Sequence, residues 1–441
     1  MSYYLKFFES LISGMLPFVL LMLVGGFLTV KSKGFQFRNL GKSVKVFFTP
    51  DKGKGKNLTA FQSACNSLAA TVGTGNIVGV GAAVVLGGAG AVFWMWVSAA
   101  VAMCIKSAEI MLAIYFKEKQ KDKYVGGPMY YIKNGMPKKY EFLGVIYAFT
   151  GVFSCFLSGN IIQTNSAVLC FSSDTKIRLI LGMVFSIITA VVIVGGVTKI
   201  SAFTTKAVPF MSVLYIVLCL GVIIANFSSL PKCFTDIFKG AFCPSAVTGG
   251  VLGSVSNTVI SGATKGVFSN ESGLGTAAIA YSAGESNDIY RQGLYGIFEV
   301  FLDTLVLCTL SALTILSSGV IIDYGNEKTV PVVNAFSSVY GSYSKLILGI
   351  MLSVFAVSSI IGWAVYGISF SKFLIGAKGE KIFTRVYPFF CILGAVLNVK
   401  TVWRAAEFFN GIMIIVNMFA IILLKEKVIF YLKDTEYDKT N

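Results

Sequence analysis

Histidine is absent from all 441 residues. Its absence removes the usual imidazole proton shuttle, the base of a catalytic triad and the commonest nitrogen ligand for a soft metal. HExxH, GxSxG and GxxxxGK[ST] are missing too, so zinc proteolysis, nucleophile-elbow hydrolysis and P-loop nucleotide hydrolysis have no carrier here. Charge is sparse, with DEKR at 13% of residues. The longest polar gap, 31 to 57, is too short for a soluble domain. The nine cysteines show no CxxC or ligand spacing, and Cys104, Cys170 and Cys219 sit in apolar runs. They read as small core residues and not as a disulfide frame.

What is present is apolar. Hydrophobic residues make up 55% of the chain, and the mean hydropathy is +0.75. That composition is a polytopic, all-α membrane protein. The 37 Lys and Arg exceed the 21 Asp and Glu, a net charge of +16. In a soluble protein that excess would point to nucleic acid. Here the charges cluster between apolar segments, so they are expected to face anionic lipid in cytoplasmic loops, with no nucleic-acid partner.

The first apolar stretch, Leu11 to Val30, is long enough to span and lacks a small-residue cleavage site, so it reads as a retained helix. Further apolar stretches run over about 58–86, 90–116, 143–171, 177–197, 205–226, 248–283, 291–318, 330–372, 383–397 and 402–424. Together they predict about eleven transmembrane helices. Lys31, Lys33, Arg38, Lys42, Lys45, Lys52, Lys54 and Lys56 fill the first linker, and seven lysines fill the loop around 117–139. Both are expected inside by the positive-inside rule, as are Lys199, Lys206, Lys372, Lys378, Lys381, Arg385 and the tail with Lys425, Lys427, Lys433 and Lys439. An outer N-terminus and a cytoplasmic C-terminus follow. Phe35, Phe37, Val44, Phe47 and Phe48 give the linker an apolar face for the membrane surface.

Two stretches interrupt this regularity. Ala69-Ala70-Thr71-Val72-Gly73-Thr74-Gly75-Asn76-Ile77-Val78-Gly79 strings glycines, hydroxyls and an amide through an apolar segment, and Thr264 to Ala277 does the same later. Non-helical backbone at membrane depth is tolerated only where protein or a polar cavity satisfies it. Four spans separate the two, so they are the first and sixth of a series and run in opposite directions. Paired interruptions of this kind point to an inverted-repeat transporter with its site near the midplane. Glycines 73, 75, 273 and 275 let bare backbone approach a ligand. Two plainer readings stay open: Gly75 and Gly79 as a helix-packing pair, and the second stretch, with Lys265 and Glu271, as a cytoplasmic turn. Asp303 lies alone in an apolar run and has three roles open to it: coordinating a cation, pairing with Lys265, or carrying a proton. Lys106 and Glu109, three apart on a helix, are expected to neutralise each other.

Four motifs occur in order: Gly73-Thr74-Gly75-Asn76-Ile77, Gly126-Gly127-Pro128-Met129-Tyr130-Tyr131-Ile132, Gly159-Asn160-Ile161-Ile162-Gln163-Thr164-Asn165-Ser166 and Phe268-Ser269-Asn270-Glu271-Ser272-Gly273-Leu274-Gly275. Together they resemble the alanine or glycine:cation symporter family, sodium-coupled carriers of small neutral amino acids. The resemblance implies a leucine-transporter-type fold, two inverted five-helix repeats, with one extra N-terminal helix. It divides the chain into 1–57, a first repeat 58–226, an inverted repeat 227–424 and a tail 425–441.

By that likeness, the amides of Gly73, Thr74, Gly75 and Asn76, with Thr71 just before them, hold the substrate carboxylate. Groups at Phe268 and Ser269 take the ammonium, Gln163 is a further contact, and Trp363 walls the pocket. Gln163 can equally spend itself on Asn165. Sodium would lie between the carbonyls of Ala69 and Val72 and the hydroxyls of Ser358 and Ser359. The expected function is sodium-coupled import across the cell (inner) membrane, with no catalytic residue and no organic cofactor. A proton-coupled carrier using Asp303 or Glu271 is the close alternative. An ion channel is the distant one, since no carbonyl filter or charged ring is found.

Overall fold

The computed structural model describes residues 11–49, 58–120, 123–244, 248, 255–322, 331–397 and 399–433. Lys52, Lys54 and Lys56 of the basic linker, and Lys439 of the tail, lie outside them.

Among the described residues the regular structure is helical, apart from a two-stranded antiparallel ribbon of β1 (Glu118–Gln120) and β2 (Lys123–Val125). A long entry helix α1 (Leu11–Lys31) leads to a surface helix α2 (Leu40–Phe48). Phe47 of α2 stacks on Phe298 at 4.1 Å, so the linker's apolar face is bound to protein at this point. Next come the halves α3 (Ala60–Thr71) and α4 (Val78–Gly87), then α5 (Gly90–Tyr115), α6 (Pro128–Gly135) and α7 (Lys138–Phe171). The sequence continues with α8 (Thr175–Val194), α9 (Gly196–Ala225) and the amphipathic α10 (Leu230–Phe242). A second pair of halves, α11 (Val255–Asn270) and α12 (Thr276–Ser282), precedes α13 (Ile289–Ser317). The chain closes with α14 (Pro331–Tyr340), α15 (Ser344–Val386), α16 (Phe390–Val396), α17 (Val399–Leu423) and α18 (Lys425–Lys433).

Eight helices among the described residues are long and apolar enough to cross a membrane, or nine if the bent pair α3/α4 is one span. The expected stretch 330–372 is divided: its first part folds as the separate α14, and a turn at Gly341–Tyr343 precedes α15. Within α15 the helix breaks again at Ile375 and Gly376, where Gly376 takes φ 65°. Apolar composition does not mark the turn at Gly341–Tyr343, which lies inside one expected stretch, whereas the break at Ile375 and Gly376 falls in the expected gap between 372 and 383.

Burial sorts the helices into a wall and a core. α8 leaves Ile180, Ile187, Val191 and Val194 exposed, the composition of a surface that meets lipid. α5 lies at the centre, buried over nearly its whole length and packed against α1, α10, α11, α12 and α13. Small residues allow these close approaches: a Cβ on Gly262 would strike the Ala91 backbone, and one on Gly296 would sit 2.9 Å from the Ser107 nitrogen.

Candidate functional site

The first break begins where α3 runs out. A capping box starts that helix, with Thr59 Oγ1 accepting from the Gln62 amide and Gln62 Oε1 from the Thr59 amide. Val72 then turns extended (φ −78°, ψ 94°), a short 3-10 turn covers Thr74–Asn76, and α4 departs at 55° to α3. A continuing helix would bond the Gly73 amide to the Ala69 carbonyl. Here it donates to Asn76 Oδ1 at 2.9 Å. Thr74 donates its amide (3.1 Å) and its hydroxyl (2.9 Å) to Gln163 Oε1.

The second break is shorter than Thr264 to Ala277. Thr264 to Asn270 are still helical, and the turn occupies Glu271 to Gly275. Glu271, Gly273 and Gly275 take φ of 54°, 88° and 77°. The turn is held from several sides: the Ser272 amide donates to Asn270 Oδ1, Thr276 Oγ1 to Glu271 Oε2, Asn417 Nδ2 to the Gly273 carbonyl and Tyr147 to the Leu274 carbonyl. At Gly275 a side chain would also run into the Pro128 ring, which explains why the Gly126-Gly127-Pro128 motif accompanies this turn.

Asp303 joins the two breaks. Its Oδ1 accepts from Asn76 Nδ2 at 2.6 Å, and its Oδ2 accepts from Ser269 Oγ and Thr304 Oγ1, both at 2.9 Å. The backbone there is π-helical over Phe301–Cys308, and the Asp303 carbonyl also accepts from Asn76 at 3.2 Å. Lys265 does not meet Asp303. It pairs with Glu407 at 3.2 Å and lies over the Trp403 ring.

A small cavity lies between the breaks, lined by Thr71, Gly75, Gln163, Phe268, Ser269 and Trp363 of the expected set. Ala70, Ser158, Glu271, Leu274 and Asn410 complete it. Ser158 belongs to a π-helical turn of α7 (Leu157–Ile161), and Asn410 is a polar residue inside the apolar α17; the second kind of signal was readable in the sequence. Trp363 is seated by Gly159, where a Cβ would come within 2.5 Å of the tryptophan side chain. A larger, more open pocket adjoins at Phe268, Leu274 and Asn410, walled by Pro17 and Phe18 of α1 and by the Lys265–Glu407 pair.

On the other side of the first break, Ser359 Oγ donates to the Val72 carbonyl at 3.4 Å. Gly362 brings α15 so close that a Cβ would lie 2.5 Å from the Ala70 nitrogen and 3.0 Å from the Ala69 carbonyl carbon. Ser358 Oγ is buried there without a hydrogen-bond partner.

Two further pairings that the sequence offered are replaced. Gln163 and Asn165 do not meet, since residues two apart point away from each other on a helix; Asn165 donates to the carbonyls of Gly394 and Leu397. Lys106 does not neutralise Glu109. Its ammonium lies 3.3 Å from Glu299, while Glu109 accepts from Asn417 Nδ2 at 2.6 Å. Spacing allowed the first pair, but the freed carbonyl of Asn270 draws Lys106 toward the second break.

A family model described as the sodium:alanine symporter family matches residues 1–441. The chain belongs to that family. The sodium/alanine symporter AgcS of Methanococcus maripaludis is 37% identical over 433 residues, covering 96% of this chain and 94% of AgcS. The probable sodium/glutamine symporter GlnT of Bacillus subtilis is 35% identical over 429 residues, covering 97% and 89%. Among solved structures, the crystal structure of MhsT in complex with L-phenylalanine superposes with a TM-score of 0.63 at 14% identity, covering 87% of this chain and 97% of MhsT. This member of the sodium:alanine symporter family therefore has the leucine-transporter-type fold and is a multi-pass membrane transporter of amino acids, not an enzyme.

Proposed function

We propose that the protein imports small neutral amino acids, alanine and glycine among them, together with sodium, by alternating access across the cell (inner) membrane. The observation that carries this reading is that Asp303 bonds Asn76 of the first helix break and Ser269 beside the second, next to a small cavity lined from both. A half-helix start offers amides with partial positive charge to a carboxylate, and a half-helix end offers carbonyls to a cation. The substrate carboxylate engages the turn Gly73, Thr74, Gly75 and Asn76, next to Thr71. Its ammonium meets the end of α11 at Phe268 and Ser269. Gln163 braces the turn through Thr74, and Trp363 limits the size of the side chain admitted.

Sodium prefers several hard oxygens. One group of such oxygens is the carbonyls of Ala69 and Val72 with the hydroxyls of Ser358 and Ser359; the partnerless Ser358 Oγ supports it. The repeats 58–226 and 227–424 rock about this centre, with the N-terminus outside and the tail 425–441 in the cytoplasm. Uptake of labelled alanine and glycine into proteoliposomes, with and without a sodium gradient, tests the reading. Uptake of neither, or uptake indifferent to sodium, overturns it. A second reading, proton coupling, is favoured by one observation: Glu271 lines the cavity directly. Uptake that survives sodium replacement but follows a pH gradient would select it.

A further inference from the structure

Among the described residues, five Asp, Glu and Lys side chains are buried around the two breaks. Four are acids (Glu109, Glu271, Glu299 and Asp303), and Lys106 is the one base among them. The site residues above do not use it. Its ammonium has three donors, and three elements supply acceptors: the Asn270 carbonyl at 2.7 Å, Thr71 Oγ1 at 3.5 Å and Glu299 Oε2 at 3.3 Å. Asn270 is the last residue of α11, and Thr71 is the last residue of α3. Those are the ends of the two half-helices that stop at the breaks, where unpaired carbonyls concentrate negative partial charge.

We infer that Lys106 is a positioning residue that ties the ends of both broken helices to one fixed internal cation, so that the two breaks keep a common geometry. Glu299 holds that cation in place. It accepts from Ser67 Oγ at 2.9 Å and from Tyr281 at 2.5 Å, and so links α3, α12 and α13 to the same point. The backbone of α5 is pinned as well, because Gly296 packs within 3.0 Å of the Lys106 carbonyl carbon for an added Cβ. An ammonium suits this place better than a guanidinium, since it is compact and directs its donors in three dimensions, whereas the guanidinium fork is planar.

The inference rests on the breaks being the ligand site, but its test does not require ligand. Hydrogen exchange by mass spectrometry on the protein in lipid nanodiscs, without substrate, compares the wild type with Lys106→Met/Glu299→Gln, which removes the ion pair as a neutral unit. Exchange should accelerate at least tenfold in both 69–77 and 268–277 and stay unchanged in the remainder of α5. Acceleration at one stretch alone, or at neither, overturns the inference. Sodium-dependent alanine binding by the same samples should weaken at least tenfold in the double variant, and unchanged binding also overturns it. Failure of the wild type to bind alanine would count against the proposed function and leave the exchange result readable. Thr71→Val serves if the double variant does not fold: it removes one acceptor, so faster exchange is expected in 69–77 with 268–277 still protected. No change in 69–77 overturns the inference.

Discussion

Adding one methyl group at Gly73 tests the site more sharply than deleting any polar group. The backbone there (φ −137°, ψ −160°) is extended and open to any residue, so Gly73→Ala carries no conformational strain. The cost is steric. The new Cβ would lie 2.5 Å from Ser359 Oγ and 3.0 Å from Gln163 Oε1. Ser359 must leave the Val72 carbonyl, and Gln163 must release the two bonds it accepts from Thr74. An off-rotamer side chain costs roughly 0.5–1.5 kcal/mol, and each lost hydrogen bond about 0.5–1.5 kcal/mol. Their sum over one displaced side chain and three lost bonds, about 2–6 kcal/mol, corresponds to a loss of roughly 30- to 20,000-fold in affinity if substrate and sodium need that geometry. Sodium-dependent alanine binding to purified, monodisperse protein measures it. Gly73→Ala/Ser359→Ala removes the closer obstacle and should recover at least fivefold. Affinity within threefold of wild type in Gly73→Ala would refute the assignment of this turn to ligand binding.

At Gly75, a Cβ would meet the Phe268 ring at 3.8 Å and the Ser269 Cα at 3.9 Å, both ordinary contacts, so Gly75→Ala should transport normally within a few-fold while Gly75→Leu, which fills the cavity, abolishes uptake in a well-inserted protein. Asp303→Asn removes the charge that receives three side-chain donors; the sodium concentration for half-maximal uptake should rise more than tenfold, and an unchanged value would separate Asp303 from cation binding. On the loop side of α5, Lys117 donates to the carbonyls of Gly284 and Ser286, and burial, only partly offset by Glu285, lowers its ammonium to about 8. Its folded value lies below the unfolded one, so the folded chain binds fewer protons, and stability should rise as pH climbs from about 8 toward about 10. Thermal unfolding in detergent should show that rise, and Lys117→Met should flatten it.

The two breaks were legible because glycine, hydroxyls and amides are costly at membrane depth and so stand out against an apolar background. The gathering of Thr71, Gly75, Gln163, Phe268, Ser269 and Trp363 around one cavity follows from the same motifs. What the sequence hid was direction. Lys106 and Glu109 are correctly spaced for each other, yet α5 faces a different neighbour at each position, Glu299 of α13 for one and Asn417 of α17 for the other. Periodicity describes one helix at a time and cannot reveal which partner it faces. Glu271 is readable in the sequence as a proton carrier, but its place in the cavity wall was hidden for another reason: an acid beside glycines looks like a surface turn until the helices packed around it are known. The π-helical stretches Leu157–Ile161 and Phe301–Cys308 leave no compositional trace, although they carry Ser158 and Asp303.

The self-ligation of the first turn bears on speed. Asn76 Oδ1 and Gln163 Oε1 already sit on the amides of Gly73 and Thr74, so under the proposed function an arriving carboxylate evicts an oxygen from either of these two amides that it takes. Capture is then an exchange between nearly equivalent acceptors and not the filling of bare donors. Such a swap keeps the amides partnered at every stage and holds down the net gain on binding. The same side chains return to the amides as the cargo departs. A carrier must let go as readily as it holds, and a turn that competes with its own cargo has that reversibility built into its backbone.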